Sequence, residues 1–372
     1  MKIVLAPDKY KGALKSIQVA NAMEKGIRKV LPDAKIVKLN VSDGGEGLAD
    51  AILACRKGRK IVLRTTGPEN KEVTSSYAFL EDMTAVIELA ESAGLVLAKN
   101  PNPAKTTTYG TGEMILDALD RNAKEIWLGL GGSATNDAGC GIASCLGVKY
   151  FDKFGRRFVP TGDTLVKIAA IDTSEIDERI RNIKIICLTD VDNPLYGPNG
   201  AARIYARQKG ADDAMIDLLD ENLEHYAKIL QDSFGFDANF AKAGAAGGTP
   251  VSMKAFFHAS VRNGVLFLLE ECGFGQVIKD ADLILTGEGR FDHQSLQGKA
   301  VSGIMRKAFE AGVSVYVLAG SVEKNLLLYK PKEIAGLIQV TPDDMNIGEA
   351  IKNSETLIEA SAENLMIKLI KK

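Results

Sequence analysis

The sequence has 372 residues, of which 46% are hydrophobic and 25% are charged, and its formal net charge is −2. A chain of this length usually exceeds a single hydrophobic core, so we expect two domains. The near-neutral charge argues against a nucleic-acid-binding protein, and no apolar run reaches the roughly 18 residues that a membrane-spanning helix requires.

The N-terminal segment predicts parallel βαβ units. Residues 2–5 predict a buried strand, and Ser16 is placed to cap the helix that follows a polar loop. A second strand is predicted over 35–41, and a helix beginning near Leu48 follows the loop 42–47. A repeated order of strand, loop and helix is typical of a doubly wound parallel sheet.

The pattern changes near residue 66. The runs 73–79 and 84–89 flank a short polar turn and predict an antiparallel hairpin. Further strands are predicted over 125–129 and 183–188, and helices near 111–122 and from about 198 to 232. This part of the chain therefore predicts a mixed α/β domain.

The first pattern returns near residue 280. The predicted elements are strands over 282–286, 313–318 and 337–340, a helix from about 299, and a closing helix over 346–371. We therefore predict a discontinuous doubly wound domain formed by 1–65 and 280–372, with a mixed α/β domain, 66–279, inserted between the two parts.

Three polar loops follow predicted strands of the discontinuous domain, at 7–12, 42–47 and 286–292. Ligands of doubly wound sheets bind beyond the carboxyl ends of the strands, so we expect these loops to converge. Their carboxylates suit a hydroxyl group, a proton or a divalent cation. Lys11, Arg290 and Lys299 suit a phosphate or carboxylate ligand.

The stretch 129–141 holds five glycines between a predicted strand and a predicted helix. Its backbone N–H groups could cradle a phosphate. It is not a Walker A motif, although Gly129, Gly131 and Ala134 satisfy a loose dinucleotide-binding pattern. The alternative is a tight turn in which Asp137 stabilises the helix dipole.

Three other motifs also have a structural alternative. The motif 190–194 contains two aspartates. Either they serve in catalysis or the motif forms an Asx turn before the proline. Residues 244–248 bind a ligand or allow close helix packing. Glu288 and Asp292 bind substrate or cap the following helix.

Taken together, these motifs identify the sequence as similar to the type-1 glycerate kinase family over nearly its full length. The motifs that carry the resemblance are Ala6-Pro-Asp8 with Lys11-Gly12, Ser42-Asp-Gly-Gly-Glu-Gly47, Thr106-Thr-Thr-Tyr-Gly-Thr-Gly112, Gly131-Gly-Ser-Ala-Thr-Asn-Asp137, Asp192-Asn-Pro-Leu195 with Gly197, Gln208-Lys-Gly-Ala211, Gly244-Ala-Ala-Gly-Gly248, Leu285-Thr-Gly-Glu-Gly-Arg-Phe-Asp292 and Gly298-Lys299. Lys9, Ala13, Arg207 and Thr249-Pro250 depart from the family pattern, but no carboxylate or glycine loop is lost.

The resemblance implies ATP-dependent phosphorylation of D-glycerate, with Mg²⁺, in a cleft between a split flavodoxin-like domain and an inserted domain. Phosphoryl transfer then requires a base, a metal ligand and cationic groups. The expected catalytic residues are Asp190, Asp192, Lys11 and Lys299. The expected substrate-binding residues are Asp8, Asp43, Glu46, Glu288, Arg290, Asp292 and Ser295. The expected phosphate-binding residues are Gly131, Gly132, Ser133, Thr135, Asn136 and Asp137. Asp190 or Asp192 is the expected proton acceptor or metal ligand, with Asp43 and Glu46 as the alternatives, and Asp190 and Asp43 are the expected metal ligands.

Of the two possible products, we expect 2-phosphoglycerate rather than 3-phosphoglycerate. Two alternatives remain open on the sequence: an isomerase or phosphatase of a phosphorylated ligand, and a non-catalytic sugar-acid-binding protein. The N-terminus lacks the pattern of a signal peptide, so we expect a cytoplasmic protein. We expect D-glycerate and ATP as its partners, no nucleic acid and no membrane, and the sequence leaves a homo-oligomer open.

Overall fold

The computed structural model describes residues 1–41, 45–296, 300–328 and 331–371. Its strands are β1 (Lys2–Leu5), β2 (Lys35–Lys38), β3 (Gly58–Thr66), β4 (Glu72–Leu80), β5 (Thr84–Glu88), β6 (Glu125–Gly129), β7 (Lys149–Phe151), β8 (Arg157–Phe158), β9 (Ala170–Asp172), β10 (Lys184–Leu188), β11 (Ser260–Arg262), β12 (Leu283–Phe291), β13 (Ser314–Val322) and β14 (Gly336–Gln339).

Its helices are α1 (Ser16–Val30), α2 (Leu48–Cys55), α3 (Ala90–Ala93), α4 (Tyr109–Asp120), α5 (Cys140–Cys145), α6 (Ala201–Tyr205), α7 (Asp213–Phe234), α8 (Thr249–Phe257), α9 (Gly264–Glu271), α10 (Phe274–Ile278), α11 (Ala300–Glu310), α12 (Lys324–Leu328), α13 (Ile347–Lys352) and α14 (Ser354–Ile370). Within the described ranges, each helix is too short or too polar to cross a lipid bilayer.

The chain forms two compact units. The first contains residues 1–43 and 265–372, and the second contains 44–264. The predicted domains, 1–65 with 280–372 and 66–279, stay a prediction, because compact units are not themselves a test of domain boundaries.

The first unit is built on a five-stranded sheet in the order β14-β13-β12-β1-β2. All neighbouring strands in it are parallel. The inner residues of β1, from Ile3 to Leu5, are completely buried, because helices pack on both faces of such a sheet. One apolar cluster lies under α11 and another under α1 and α14.

The second unit contains a six-stranded mixed sheet in the order β11-β10-β6-β5-β4-β3. The four strands from β11 to β5 are mutually parallel, and β4 and β3 continue the sheet in antiparallel order. A small antiparallel sheet, β8-β7-β9, lies in the same unit. A single apolar cluster, from Ile61 to Ala259, forms the core of this unit.

Several local predictions need correction. Ser16 does not cap α1: Lys15 is the N-cap residue, and the Ser16 hydroxyl donates to the Pro7 carbonyl oxygen at 2.7 Å. The predicted closing helix is interrupted at Asn353, which separates α13 from α14. The second strand ends at Lys38 rather than at residue 41.

Candidate active site

Four parallel strands of the second unit end at the same level of their sheet. In β5, β6 and β10, the paired terminal residues are Glu88, Gly129 and Leu188, and β11 adds Arg262 beside Leu188. Residues that directly follow these strands therefore lie along one edge. That edge carries the glycine loop after β6 and Asp190, which follows β10 by two residues. Ligands of α/β proteins bind at this edge of the sheet, which is formed by the carboxyl ends of its parallel strands.

The start of the glycine loop packs tightly against the polar loop 45–47. A Cβ atom on Gly131 would lie 2.5 Å from the Cα atom of Gly45, so no side chain fits there. A Cβ atom on Gly132 would lie 3.1 Å from Oε1 of Glu46. The structure thus brings Glu46 to Gly131 and Gly132. Asp43, the other carboxylate of this motif, lies outside the described residues.

Glu88, which the sequence analysis did not select, holds the same polar loop. Its two carboxylate oxygens accept hydrogen bonds from the backbone N–H groups of Gly47 and Ala49, each at 2.8 Å. These groups lie at the start of α2, so the carboxylate also stabilises that helix end. Glu88 is 6% exposed, and burial raises its pKa to about 7.

The second half of the glycine loop is buried. Asp137 accepts hydrogen bonds from the backbone and hydroxyl of Thr108, both at 2.8 Å, and from the N–H groups of Gly139 and Gly141. Burial raises the pKa of Asp137, although these four donors oppose the shift. The first N–H groups of α5 are thus occupied by a carboxylate of the protein. These contacts do not test phosphate binding by Ser133, Thr135, Asn136 and Asp137, which stays a prediction.

Lys209 completes this buried cluster, and sequence reasoning missed its role. Its ammonium donates to the Ser133 hydroxyl at 2.9 Å and to the Thr135 carbonyl oxygen at 2.7 Å. Burial lowers its pKa to about 7, while the charge of Asp137 opposes that shift. The available signal was the motif Gln208-Lys-Gly-Ala211 itself.

The loop 244–248 packs against the back of the glycine loop. The Ala138 N–H donates to the Gly247 carbonyl oxygen at 3.0 Å. A Cβ atom on Gly247 would lie 2.1 Å from the Thr135 carbonyl oxygen. The glycines at 244–248 thus allow close backbone packing, the structural alternative that the sequence left open.

The two aspartates of the 190–194 motif have different surroundings. Asp190 is half-buried, with one carboxylate oxygen shielded from solvent. The side chain of Asp192 is 78% exposed and forms an ion pair with Lys242 at 2.5 Å. Asn193 is tied into the turn, because its amide donates to the Asn199 carbonyl oxygen and accepts from the Tyr205 hydroxyl. Asp190 is therefore the better-shielded carboxylate at the sheet edge.

The first unit brings together two segments: the loop that follows β1 and the second half of β12. The Asp8 N–H donates to the Gly287 carbonyl oxygen at 2.7 Å. The Tyr10 hydroxyl donates to the Leu318 carbonyl oxygen at 2.8 Å, and burial, together with the charge of Glu288, raises its pKa. Glu288 is buried, whereas Lys11 and Arg290 are exposed cations on these loops. The predicted convergence of 7–12 with 286–292 is thus observed. The prediction of a loop over 286–292 is wrong, because β12 continues to Phe291 and its residues Glu288, Arg290 and Phe291 still pair with β13.

Asp292 and Ser295 bind each other within a short helical turn. The Ser295 N–H donates to the Asp292 backbone oxygen at 2.9 Å, and the Asp292 N–H donates to the Ser295 hydroxyl at 3.1 Å. The Arg290 guanidinium lies 3.5 Å from the Asp292 carboxylate. The Ser295 N–H also donates to the Asp292 carboxylate at 3.3 Å, so Asp292 caps this turn, and its substrate role stays a prediction. Lys299 lies outside the described residues.

No group of three or more His, Cys, Asp or Glu side chains in the described ranges is arranged to hold a metal ion. Mg²⁺ does not require such a group, since it commonly uses one or two protein carboxylates and takes its other ligands from phosphates and water.

The glycerate kinase family model matches residues 3–370. The chain belongs to the glycerate kinase family. A "Glycerate kinase" of Bacillus cereus (strain ATCC 10987 / NRS 248) is 44% identical, across 98% of this chain and 97% of that protein. A "Glycerate 2-kinase" of Escherichia coli (strain K12) is 38% identical, across 98% of this chain and 97% of that protein.

A solved structure agrees with this membership. The crystal structure that carries the provisional name glycerate kinase 2, from Salmonella typhimurium LT2, has a TM-score of 0.84 and 36% identity. The match covers 100% of this chain and 98% of that one. This glycerate kinase family member is therefore a mixed α/β enzyme of the kinase class, and it uses ATP as a substrate. Family membership favours this activity over the isomerase, phosphatase and binding-protein alternatives.

Proposed function

We propose that this enzyme transfers the γ-phosphoryl group of ATP to the 2-hydroxyl of D-glycerate and releases 2-phosphoglycerate. The observation that carries the proposal is the alignment of strand ends at Glu88, Gly129 and Leu188, which gathers a glycine loop and carboxylates at one sheet edge. The printed name of the Escherichia coli relative, "Glycerate 2-kinase", supports the choice of the 2-hydroxyl over the 3-hydroxyl.

Asp190 is the proposed proton acceptor for the attacking hydroxyl. A general base must lie within hydrogen-bonding reach of the proton that it removes. Asp190 is half-buried at the sheet edge, whereas Asp192 is exposed and paired with Lys242. We therefore assign the base to Asp190 and a supporting electrostatic role to Asp192.

The cationic residues of the first unit are proposed to hold the anionic groups of the substrates. Lys11 and Arg290 are exposed on the converging loops, and Lys299 follows them in sequence. Developing charge on the transferred phosphoryl group is stabilised by such cations in kinases. Asp8, Glu288, Asp292 and Ser295 then orient glycerate and these cations, and Glu46 lies with the glycine loop of the second unit.

Mg²⁺ fits the donor set at the strand ends, because carboxylate oxygens are the ligands it prefers. Because Asp190 is assigned as the base, Asp43 would hold the ion, with Glu46 as an alternative ligand. When bound, the ion neutralises charge on the phosphate oxygens. The protein residues do the remaining work: they position the acceptor hydroxyl, remove its proton and exclude water.

We further propose the domain organisation that the family resemblance implies. The strand order β2-β1-β12-β13-β14 of the first unit supports a flavodoxin-like domain, since flavodoxin-like sheets have the order 2-1-3-4-5. A cleft between two domains, a cytoplasmic location and the oligomeric state stay predictions.

The experiment is phosphorus NMR of the product formed from ATP, Mg²⁺ and D-glycerate. We expect one new phosphomonoester signal whose coupling pattern shows a single carbon-bound proton, as phosphorylation of the secondary hydroxyl requires. Coupling to two protons would identify the 3-hydroxyl as the acceptor. Absence of a glycerate-dependent signal, with a folded enzyme, would overturn the proposed activity.

Asp190→Asn and Asp192→Asn form a matched pair for the base assignment. Both remove one negative charge with little change in size. We expect Asp190→Asn to lower kcat on the order of 10²-fold or more, and Asp192→Asn to lower it less than about tenfold. The reverse order of effects would assign the base to Asp192, and near-normal turnover of both variants would remove this motif from the base role.

A further inference from the structure

Lys209 is a buried cation that no step of the proposed reaction uses. It is 3% exposed and ends the short turn Arg207–Lys209. Burying an ammonium group is costly unless the protein supplies hydrogen bonds and compensating charge. Here Ser133 and Thr135 accept two hydrogen bonds, and Asp137 supplies the nearby negative charge. So costly an arrangement requires a reason.

The loop that Lys209 holds has one other side-chain anchor in its middle, the Thr106 hydroxyl, which donates to the Ala134 carbonyl oxygen at 2.8 Å. Asn136 is fully buried, yet neither polar atom of its amide has a hydrogen-bond partner in the described part of the chain. The same holds for the hydroxyl of Thr135. Asp137 anchors the end of the loop to Thr108, and Lys209 anchors the segment before it.

The segment that Lys209 fixes leads directly to the glycines that pack against Glu46. The Gly132 carbonyl oxygen accepts from Leu95 N–H at 2.8 Å, and the Ala134 N–H donates to the Ala93 carbonyl oxygen at 2.9 Å. Gly131 meets Gly45 without room for a side chain. A shift of residues 133–135 would therefore displace the contact between the glycine loop and the loop of Glu46.

We propose that Lys209 is a positioning residue for the phosphoryl transfer. It holds residues 133–135, and through them it keeps Gly131 and Gly132 in register with the loop of Glu46. Because its ammonium is buried and directed to the loop, it acts through that loop and does not touch substrate. This inference rests on the proposed function, since it concerns the same sheet edge.

The test is Lys209→Met, which keeps an unbranched apolar side chain one atom shorter and removes the donors and the charge. We expect kcat to fall on the order of 10²-fold, the effect of a displacement of about 1 Å at a reacting group. We expect the KM values for ATP and D-glycerate to change less than about threefold, because no substrate contact is lost.

Tyr77→Phe is the matched control for lost stability. The Tyr77 hydroxyl donates to the Asp117 carboxylate at 2.6 Å, so this variant also loses a hydrogen bond of a buried residue in the second unit. Its kcat per folded molecule should remain within about twofold of the wild-type value, since neither Tyr77 nor Asp117 lies at the carboxyl ends of β5, β6, β10 and β11.

Each outcome decides the proposal. A folded Lys209→Met enzyme with the kcat of Tyr77→Phe would overturn it, and so would a raised KM with unchanged kcat, which indicates direct substrate contact. If Lys209→Met does not fold, Lys209→Arg replaces it: the charge stays, but a planar guanidinium cannot reproduce both hydrogen bonds of the ammonium. We then expect a reduced kcat in a folded enzyme, and an unchanged kcat would overturn the proposal.

The wild-type assay separates this proposal from the proposed function. A wild-type enzyme without glycerate-dependent ATP consumption would remove the proposed function. Normal wild-type turnover, together with an unaffected Lys209→Met variant, would remove only the role of Lys209.

Discussion

Glu88 combines a structural contact with an unusual protonation equilibrium. It lies at the end of β5 and accepts hydrogen bonds from the backbone N–H groups of Gly47 and Ala49, next to Glu46. Burial raises its pKa from 4.5 to about 7, the charges of Glu91 and Asp50 add to that shift, and the two N–H groups oppose it. The folded protein therefore binds a proton here at a pH where the unfolded chain has released it.

The first prediction concerns the pH dependence of stability. Between the unfolded and the folded pKa of Glu88, the folded state holds more protons, so the free energy of unfolding falls as pH rises. This contribution is complete below the unfolded pKa and is lost as pH rises through about 7, with a slope of at most about 1.4 kcal/mol per pH unit. Glu88→Gln removes the titration.

Urea unfolding of the wild type and of Glu88→Gln, from about pH 5 to pH 7.5, measures this contribution. The stability of the wild type should decline relative to the variant as pH rises. Parallel profiles for the two proteins would show that Glu88 does not titrate in this window.

The individual site residues differ in how far the sequence could reveal them. The sequence marked the loop of Glu46 and the glycine loop as separate candidate ligand sites. Their contact could not be predicted, because Glu46 follows β2 and the glycines at 131 and 132 follow β6, and these strands belong to different sheets. Lys209 and Glu88 were missed, because lysine and glutamate side chains are mostly exposed and their burial depends on tertiary contacts. Their roles became visible only when their partners, distant in sequence, were known.

At the scale of elements, Asp137 links the starts of two helices. Thr108 precedes α4, and Gly139 precedes α5, and Asp137 accepts hydrogen bonds from both residues. One carboxylate oxygen takes the Thr108 and Gly141 donors, and the other takes Gly139. An asparagine offers only one acceptor oxygen, so one of these backbone donors would face an amide N–H group.

The second prediction is that Asp137→Asn lowers the free energy of unfolding by about 1–3 kcal/mol, the cost of a buried donor left without an acceptor. Urea unfolding at neutral pH gives the measurement. Asp172→Asn is the control: this carboxylate is 39% exposed and accepts from the Ser174 N–H, a contact that asparagine retains. Equal stability losses in the two variants would contradict the buried role of Asp137.

The elements themselves were predicted well where hydrophobic periodicity is strong. The strands over 2–5 and 125–129 match β1 and β6, and the predicted helix start at Leu48 matches α2. β3 was missed because Gly58–Thr66 holds only one short apolar run, 61–63, between charged residues at a sheet edge. The small sheet β8-β7-β9 was missed because its strands contain only two or three residues each.

At the scale of the whole molecule, the apolar cores follow the two compact units. The cluster from Ile61 to Ala259 belongs entirely to residues 44–264, and the other two clusters belong to 1–43 with 265–372. The residues proposed for phosphate binding at 131–137 and for the base at Asp190 lie in the second unit, and the proposed cations Lys11 and Arg290 lie in the first. The second unit is a continuous segment of chain, whereas the first requires both ends of the chain.

The third prediction is that residues 44–264 fold when expressed alone but do not phosphorylate glycerate. This segment contains a complete six-stranded sheet and its own core, which are the requirements for an independently folding domain. It lacks Lys11, Arg290 and Lys299, so the proposed cationic contacts are absent. Circular dichroism and a single cooperative urea transition would demonstrate folding, and the coupled ATP assay would show no glycerate-dependent turnover. A fragment without a cooperative transition would mean that its core depends on the other unit, and a fragment with kinase activity would place the whole reaction at the edge formed by β5, β6, β10 and β11.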